Sequence, residues 1–158
     1  MKCLIIGPSG SGKTTLCNAL VGYWGVTRPT QMFKTVGNLI DTPGVYMEYP
    51  TLYQALIVSS QQADCVLLMI GSDQKGKPLP SGFAQSFPRP VIGIISKTDL
   101  GEAKLEHAKA VLADAGVKEP YFYISSRTLE GLDKLNQWII RNHQERREHN
   151  GTGCIGND

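Results

Sequence analysis

The residues best suited to chemistry form an eight-residue stretch near the start of the chain, GPSGSGKT, from Gly7 to Thr14. The stretch matches G-x-x-x-x-G-K-[ST] and lies between a strand-like run and a helical pattern, the context that this motif requires. Backbone N–H groups of such a loop surround phosphate, and the positive end of the next helix faces the same anion. We therefore expect Lys13 to bind the β- and γ-phosphates and the Thr14 hydroxyl to ligate Mg²⁺. The predicted phosphate-binding residues are Gly7, Pro8, Ser9, Gly10, Ser11, Gly12, Lys13, Thr14 and Thr15.

A second motif, Asp41-Thr42-Pro43-Gly44, follows a short apolar run and reads as D-x-x-G. Such a tetrad is common in turns, but after a phosphate-binding loop it is typical of a nucleotide switch. We expect Asp41 to reach Mg²⁺ through water and the Gly44 N–H to meet the γ-phosphate.

A third motif concerns the base. Ser96-Lys97-Thr98-Asp99 ends another apolar strand and resembles the N/T-K-x-D guanine-recognition element of Ras-like and Era-like GTPases. The Asp99 carboxylate would accept hydrogen bonds from the guanine N1–H and amino groups, which have opposite polarity in adenine. The Lys97 stem would pack along the base plane. GTP is thus favoured over ATP, although Ser96 replaces a longer Asn or Thr, which predicts a weaker or less selective site.

A later segment resembles the S-A-K element, whose backbone N–H contacts the guanine O6 in those GTPases. It follows the last predicted strand and consists of Ser125, Ser126 and Arg127. Its order along the chain, after the third motif and before the last helix, agrees with a guanine site.

Hydrolysis is where the sequence departs from the best-known switches. Val45 follows Gly44 where those switches have a water-orienting Gln, and a valine side chain neither donates nor accepts a hydrogen bond. We expect slow intrinsic hydrolysis. We assign the missing water contact to Thr30. Thr30 is also preferred over Thr27 and Thr35 as the Mg²⁺ ligand of switch I, and Arg28 is either a charge-neutralising arginine or a solvated loop residue. The predicted catalytic residues are Lys13, Arg28, Thr30 and Gly44. The other candidate source of the water contact is a protein partner that docks on the D-x-x-G motif and the residues after it (switch II). The aromatic residues Tyr46, Tyr49 and Tyr53 suggest such a partner.

Composition indicates one globular domain. The chain has 158 residues, 41% of them hydrophobic, and a net charge of +2, too small to indicate nucleic acid as a partner. It starts without the length or cleavage pattern of a signal peptide and contains no membrane-span pattern, so we expect a cytoplasmic protein. Its four cysteines occur singly and are interpreted as small buried hydrophobes.

Strand-like and helical patterns alternate along the chain. The runs from Cys65 to Ile70 and from Val91 to Ile95 are continuously apolar, as in strands covered on both faces. Gly37-Asn38 predicts a tight hairpin and one antiparallel edge strand. The predicted fold is an α/β three-layer sandwich with a mostly parallel six-stranded sheet. Residues 1–149 form the domain, 72–90 a loop with one short helix, and 150–158 a flexible tail.

With these motifs in hand, the chain resembles the EutP/PduV family of ethanolamine- and propanediol-utilisation proteins, over residues 1–143. The likeness depends on Arg28-x-Thr30-Gln31, on the run from Asp41 to Tyr46 with Pro50 and Tyr53-Gln54-Ala55-Leu56, and on Ile95 to Asp99, so that Ser96 is a family trait. It implies a Ras-like P-loop fold, GTP and Mg²⁺ as ligands, and association with bacterial microcompartments, whose shell is one source of a partner. The reaction stays open between GTP hydrolysis, acetate-kinase-like phosphoryl transfer and nucleotide binding without hydrolysis. Gly10 stands where potassium-activated relatives of Era have Asn, which predicts no potassium stimulation by that route.

Overall fold

The computed structural model describes residues 1–22, 32–75 and 79–151. Six strands are present in these ranges: β1 (Cys3–Ile6), β2 (Lys34–Val36), β3 (Leu39–Asp41), β4 (Cys65–Gly71), β5 (Val91–Ser96) and β6 (Phe122–Tyr123). They form one sheet in the order β2-β3-β1-β4-β5-β6. Every neighbouring pair is parallel except β2 with β3, which is antiparallel. The predicted mixed sheet with one antiparallel edge strand is confirmed.

The edge strand results from the predicted hairpin. Val36 pairs with Leu39, so Gly37 and Asn38 form a two-residue connection. Gly37 has a φ of 60°, a left-handed conformation that such short hairpin turns require. The turn returns the chain along β3 and brings Asp41 to the carboxyl end of the parallel strands.

Helices cover both faces of the sheet. They are α1 (Lys13–Leu20), α2 (Val45–Glu48), α3 (Tyr53–Ser60), α4 (Glu102–Asp114) and α5 (Leu132–Gly151), with 3₁₀ turns at Pro50–Leu52, Phe83–Ser86 and Thr98–Leu100. One core cluster joins the sheet to α1 and α5, and the other joins it to α2, α3 and α4. The predicted three-layer sandwich is therefore confirmed.

Burial on both faces explains why the strands are apolar without alternation. In β1, Cys3 and Ile5 belong to the cluster under α1 and α5, whereas Leu4 and Ile6 belong to the opposite cluster. All four are fully buried. Successive strand side chains point to opposite faces, so a strand covered twice needs an apolar residue at every position.

Three cysteines are core residues, as expected. Cys3 and Cys65 are register partners on adjacent strands, and the Cys65 thiol donates to the Cys3 sulfur at 3.2 Å. That hydrogen bond and burial raise the pKa of Cys65, and burial raises the pKa of the Cys17 thiol. Cys154 lies outside the described residues.

Two other expectations concern the ends of the elements. The segment predicted as a loop with one short helix contains the 3₁₀ turn Phe83–Ser86. Helix α5 continues to Gly151, so the first two residues assigned to a tail belong to the helix, whose terminal turns are hard to bound from sequence. No helix within residues 1–22, 32–75 and 79–151 is long and apolar enough to cross a membrane.

Candidate nucleotide-binding site

The phosphate loop connects the end of β1 to the start of α1. Gly12 is the residue before the helix and has a φ of 95°, while Gly10 has a φ of 77°. A Cβ at either position would meet nothing within 4 Å, so the backbone conformation, not lack of space, requires glycine there. Gly12 makes no side-chain cap to α1, so no side chain at this position competes with an anion for the start of the helix.

Lys13 lies inside this loop. Its ammonium donates to the Pro8 carbonyl at 2.9 Å and to Ser11 Oγ at 3.4 Å. The residue is only 6% exposed, and burial lowers the pKa of Lys13 to about 8 although Asp41 opposes the shift. A phosphate in the loop would oppose the effect of burial and favour the protonated form of Lys13.

Thr14 and Asp41 form the predicted magnesium end of the site. Thr14 Oγ1 donates to Asp41 Oδ2 at 2.7 Å, and Asp41 is only 1% exposed. The neighbouring Thr42 donates to the Ile5 carbonyl at 2.7 Å, which fixes the end of β3 against β1.

This pair fits Mg²⁺ by the chemistry of its donors. A hydroxyl and a carboxylate are the hard oxygen ligands that Mg²⁺ prefers, with water and phosphate oxygens completing its octahedron. Within the described parts of the chain, no group of three His, Cys, Asp or Glu side chains could hold a metal on its own. Thr14 and Asp41 could therefore supply two oxygens to a metal that arrives with a nucleotide.

The switch II glycine lies directly against the phosphate loop. A Cβ on Gly44 would come within 2.5 Å of Ser9 N, Cα and Oγ, so only glycine fits this approach. Gly44 immediately precedes α2, and the next residue, Val45, is 38% exposed. The loop and the D-x-x-G turn thus meet at the end of the site where a γ-phosphate is expected.

The three tyrosines of switch II have different surroundings. Tyr46 packs edge-on against Phe33, with ring centroids 5.0 Å apart, and Tyr53 packs against Phe83 in the same way at 5.0 Å. Tyr49 is 56% exposed. The expected exposed aromatic cluster is thus limited mainly to Tyr49, because its neighbours are used for packing.

The base end of the site is built around Asp99. Ser125 Oγ donates to Asp99 Oδ1 at 3.0 Å and itself accepts the Thr128 N–H at 3.2 Å. Arg127 Nη1 lies 3.9 Å from Asp99 Oδ2 on a side chain that is 85% exposed. The third motif and the S-A-K-like segment, remote in sequence, therefore meet at one carboxylate.

Two hydrogen bonds join the base end to the phosphate loop. Ser96, which is buried, donates from Oγ to the Ser11 carbonyl at 2.6 Å. Lys97 donates from Nζ to the Gly10 carbonyl at 2.7 Å. Position 96 thus needs no longer side chain to reach the loop in this fold.

A cavity of ≈ 410 Å³ runs between these elements. A volume of this size is in the usual range for small-molecule sites. Its lining contains nine of the residues predicted from sequence and one that was missed, Leu100: Ser11, Gly12, Thr15, Ser96, Lys97, Asp99, Leu100, Ser125, Ser126 and Arg127. Leu100 is 41% exposed, and its place directly after Asp99 was the available signal. Arg28 and Thr30, predicted for switch I, lie outside the described residues.

Comparison with known proteins agrees with this geometry. A family model described as "Ethanolamine utilisation - propanediol utilisation" (PduV-EutP) matches residues 1–141. A relative in Escherichia coli named "Probable acetate kinase EutP" is 34% identical over 141 residues, covering 87% of this chain and 88% of its own. The propanediol utilization protein PduV of Citrobacter freundii is 33% identical over 145 residues, covering 91% and 95%.

Solved structures with this fold include P-loop GTPases. A variant of Era from Aquifex aeolicus, bound to GDP and AlF4⁻, superimposes with a TM-score of 0.63 at 26% identity. The match covers 89% of this chain and 57% of Era. The predicted P-loop GTPase fold and the predicted family resemblance are both confirmed.

Proposed function

The chain belongs to the PduV-EutP family of ethanolamine- and propanediol-utilisation proteins, and on that premise we propose that it is a Mg²⁺-dependent GTP-binding protein that hydrolyses GTP slowly. The observation that carries the proposal is the position of Asp99. Its carboxylate, held by Ser125 Oγ, lines a cavity that is also lined by Ser11 and Gly12 of the phosphate loop. A guanine on Asp99 therefore has its phosphates directed toward Lys13.

The chain's own residues account for binding. Asp99 accepts from the guanine N1–H and amino group, and adenine is rejected because its N1 is an acceptor and its C2 carries no amino group, so the base offers this carboxylate no donor. Lys13 and the N–H groups at the start of α1 bind the β- and γ-phosphates. Thr14 and Asp41 would hold Mg²⁺, which neutralises negative charge on the phosphate oxygens.

Hydrolysis is in-line attack of water on the γ-phosphate. We expect the Gly44 N–H to donate to that phosphate as charge develops, while the apolar side chain of Val45 cannot orient the water. Thr30 and Arg28 stay candidates for this role, as does a protein partner that contacts switch II near the exposed Tyr49. We therefore expect a turnover of about 10⁻⁴ to 10⁻² per second in the isolated protein, the range of unassisted GTPases.

Transfer of the γ-phosphoryl group to acetate is the alternative suggested by the name of the Escherichia coli relative. Such a kinase needs a lid that closes over the acceptor, and the loop predicted at residues 72–90 is the candidate segment. Residues 81–87 of this segment are instead anchored to α4 and to the core. Ser81 Oγ donates to the Asp114 carboxylate at 3.0 Å, and Phe83 and Phe87 are buried in the core. This anchoring favours hydrolysis.

The test is calorimetry with GTP, GDP and ATP in Mg²⁺, followed by product analysis with and without acetate, in sodium and in potassium. We expect binding of GTP and GDP but not ATP, slow phosphate release, no acetyl phosphate, and equal rates in the two salts. Acetyl phosphate formation would identify a kinase. Tight GTP binding without any product would identify a binding module.

A further inference from the structure

The segment that follows β4 contacts Lys97 of the base site from the side. Ser72 Oγ donates to the Lys97 carbonyl at 2.7 Å, and the Ser72 N–H donates to the Ser96 carbonyl at 3.0 Å. Lys97 has φ 59° and ψ 41°, a left-handed backbone conformation that is unfavourable for residues other than glycine. Ser72 thus holds the backbone of Lys97 in a conformation it would not adopt alone.

The next residue holds the end of the Lys97 side chain. Lys97 Nζ donates to both carboxylate oxygens of Asp73, at 3.2 Å and 2.9 Å, and also to the Gly10 carbonyl. An ammonium has three donors directed tetrahedrally, so partners on two sides restrict where the four-carbon stem can lie. That stem lines the cavity.

Gly71 makes this contact possible. A Cβ on Gly71 would lie 2.6 Å from Asp73 Oδ1 and 3.7 Å from Lys97 Cδ. A larger residue at the end of β4 would therefore displace the Asp73 carboxylate. The absence of a side chain here creates the room that the carboxylate occupies.

We propose that Asp73 is a positioning residue for the nucleotide base: it fixes the Lys97 stem as the wall against which the purine ring packs. This inference rests on the proposed guanine site. Asp73 touches no nucleotide atom in this role and acts through Lys97.

The direction in which nucleotide affinity changes when the Asp73 charge is removed separates the positioning role from simple electrostatic repulsion. Asp73 is negative and partly exposed, so its charge alone would repel a nucleotide, and removing it would strengthen binding. Loss of positioning has the opposite effect, because the freed Lys97 side chain must be ordered again when the base binds. Weaker binding after neutralisation of a nearby negative charge therefore indicates positioning.

The experiment measures GDP affinity by calorimetry for Asp73→Asn, Asp73→Glu, Lys97→Met and the double variant Asp73→Asn with Lys97→Met. We expect Asp73→Asn to weaken GDP binding roughly three- to tenfold, the range of a partly exposed ion pair plus lost ordering. IDP, which keeps the ring plane but lacks the amino group that Asp99 binds, should lose affinity by the same factor. Asp73→Glu should recover part of the loss, and Asp73→Asn should add nothing once Lys97 is Met.

A matched control uses a comparable ion pair elsewhere. Glu106→Gln breaks the pair with Lys109, 3.6 Å apart on α4, and should leave GDP affinity unchanged. Unchanged or stronger GDP binding by Asp73→Asn would overturn the inference. GDP binding by the wild-type protein in the same experiment would still support the proposed function. Failure of the wild-type protein to bind GDP would overturn both.

Discussion

Thr14 on α1 donates from Oγ1 to Oδ2 of Asp41 at the end of β3, across 2.7 Å. The bond joins residues 27 positions apart in the chain. One follows Lys13 of the phosphate loop and the other begins the D-x-x-G turn, so a metal bound by the proposed pair would be coupled directly to that turn.

Replacing Thr14 with Val should remove most of the gain in GTP affinity that Mg²⁺ provides. Valine fills the space but offers no oxygen, so we expect the Mg²⁺-dependent gain in GTP affinity to fall about 10- to 100-fold, as when a metal ligand set is damaged. Affinity in EDTA should change little. Calorimetry with and without Mg²⁺ measures both, with the exposed Thr51→Val as the control. An unchanged Mg²⁺ effect in Thr14→Val would show that the metal binds elsewhere.

Nucleotide affinity should fall as pH rises, through Lys13. Burial lowers the pKa of Lys13 to about 8 in the free protein, and bound phosphates raise it. The protonated form therefore binds better: its contribution is complete below pH 8 and is lost as pH rises toward the pKa of the bound state. In EDTA we expect about a fourfold loss of GDP affinity from pH 7.0 to 8.5 and uptake of about half a proton at pH 8.

Proton uptake is obtained by calorimetry in buffers with different heats of ionisation. A pH-independent affinity with no proton uptake would mean that Lys13 is already fully charged before the nucleotide arrives.

The base preference should follow Asp99. Asp99→Asn places an amide donor where guanine presents donors, so we expect GDP affinity to fall at least about 100-fold and XDP, which has an acceptor there, to gain. Ser125→Ala removes the hydrogen bonds of Ser125 Oγ to Asp99 and from the Thr128 N–H but keeps the Asp99 carboxylate, so it should weaken GDP binding less, with guanine still preferred. Competition between GDP and XDP measures the preference. The same guanine selectivity in Asp99→Asn would remove Asp99 from the base site.

The Ser96 hydroxyl should contribute to stability as well as to the site. Ser96→Ala leaves the Ser11 carbonyl without this donor in a buried position, which costs about 1–2 kcal/mol of unfolding free energy. Urea denaturation measures the loss, and Ser86→Ala, at an exposed position of a 3₁₀ turn, is the control. Equal stability of the two variants would mean that water replaces the hydroxyl.

The sequence alone determined the phosphate end of the site and the order of the fold. The phosphate loop is continuous in sequence, and its glycines and lysine act through backbone geometry set within eight residues. The mostly parallel sheet followed from apolar runs without alternation and from Gly37-Asn38, because burial on both faces and a tight turn leave local signals.

Only the tertiary structure decided which distant groups meet. Three sets of contacts depend on how strands and helices approach one another. Ser96 bonds the Ser11 carbonyl, Gly71 leaves room for Asp73 beside Lys97, and Tyr46 and Tyr53 are used in packing. These contacts join residues far apart along the chain. No local sequence pattern indicates that such residues lie within a few ångströms of each other. The chemistry of each motif is therefore local, whereas its positioning belongs to the fold.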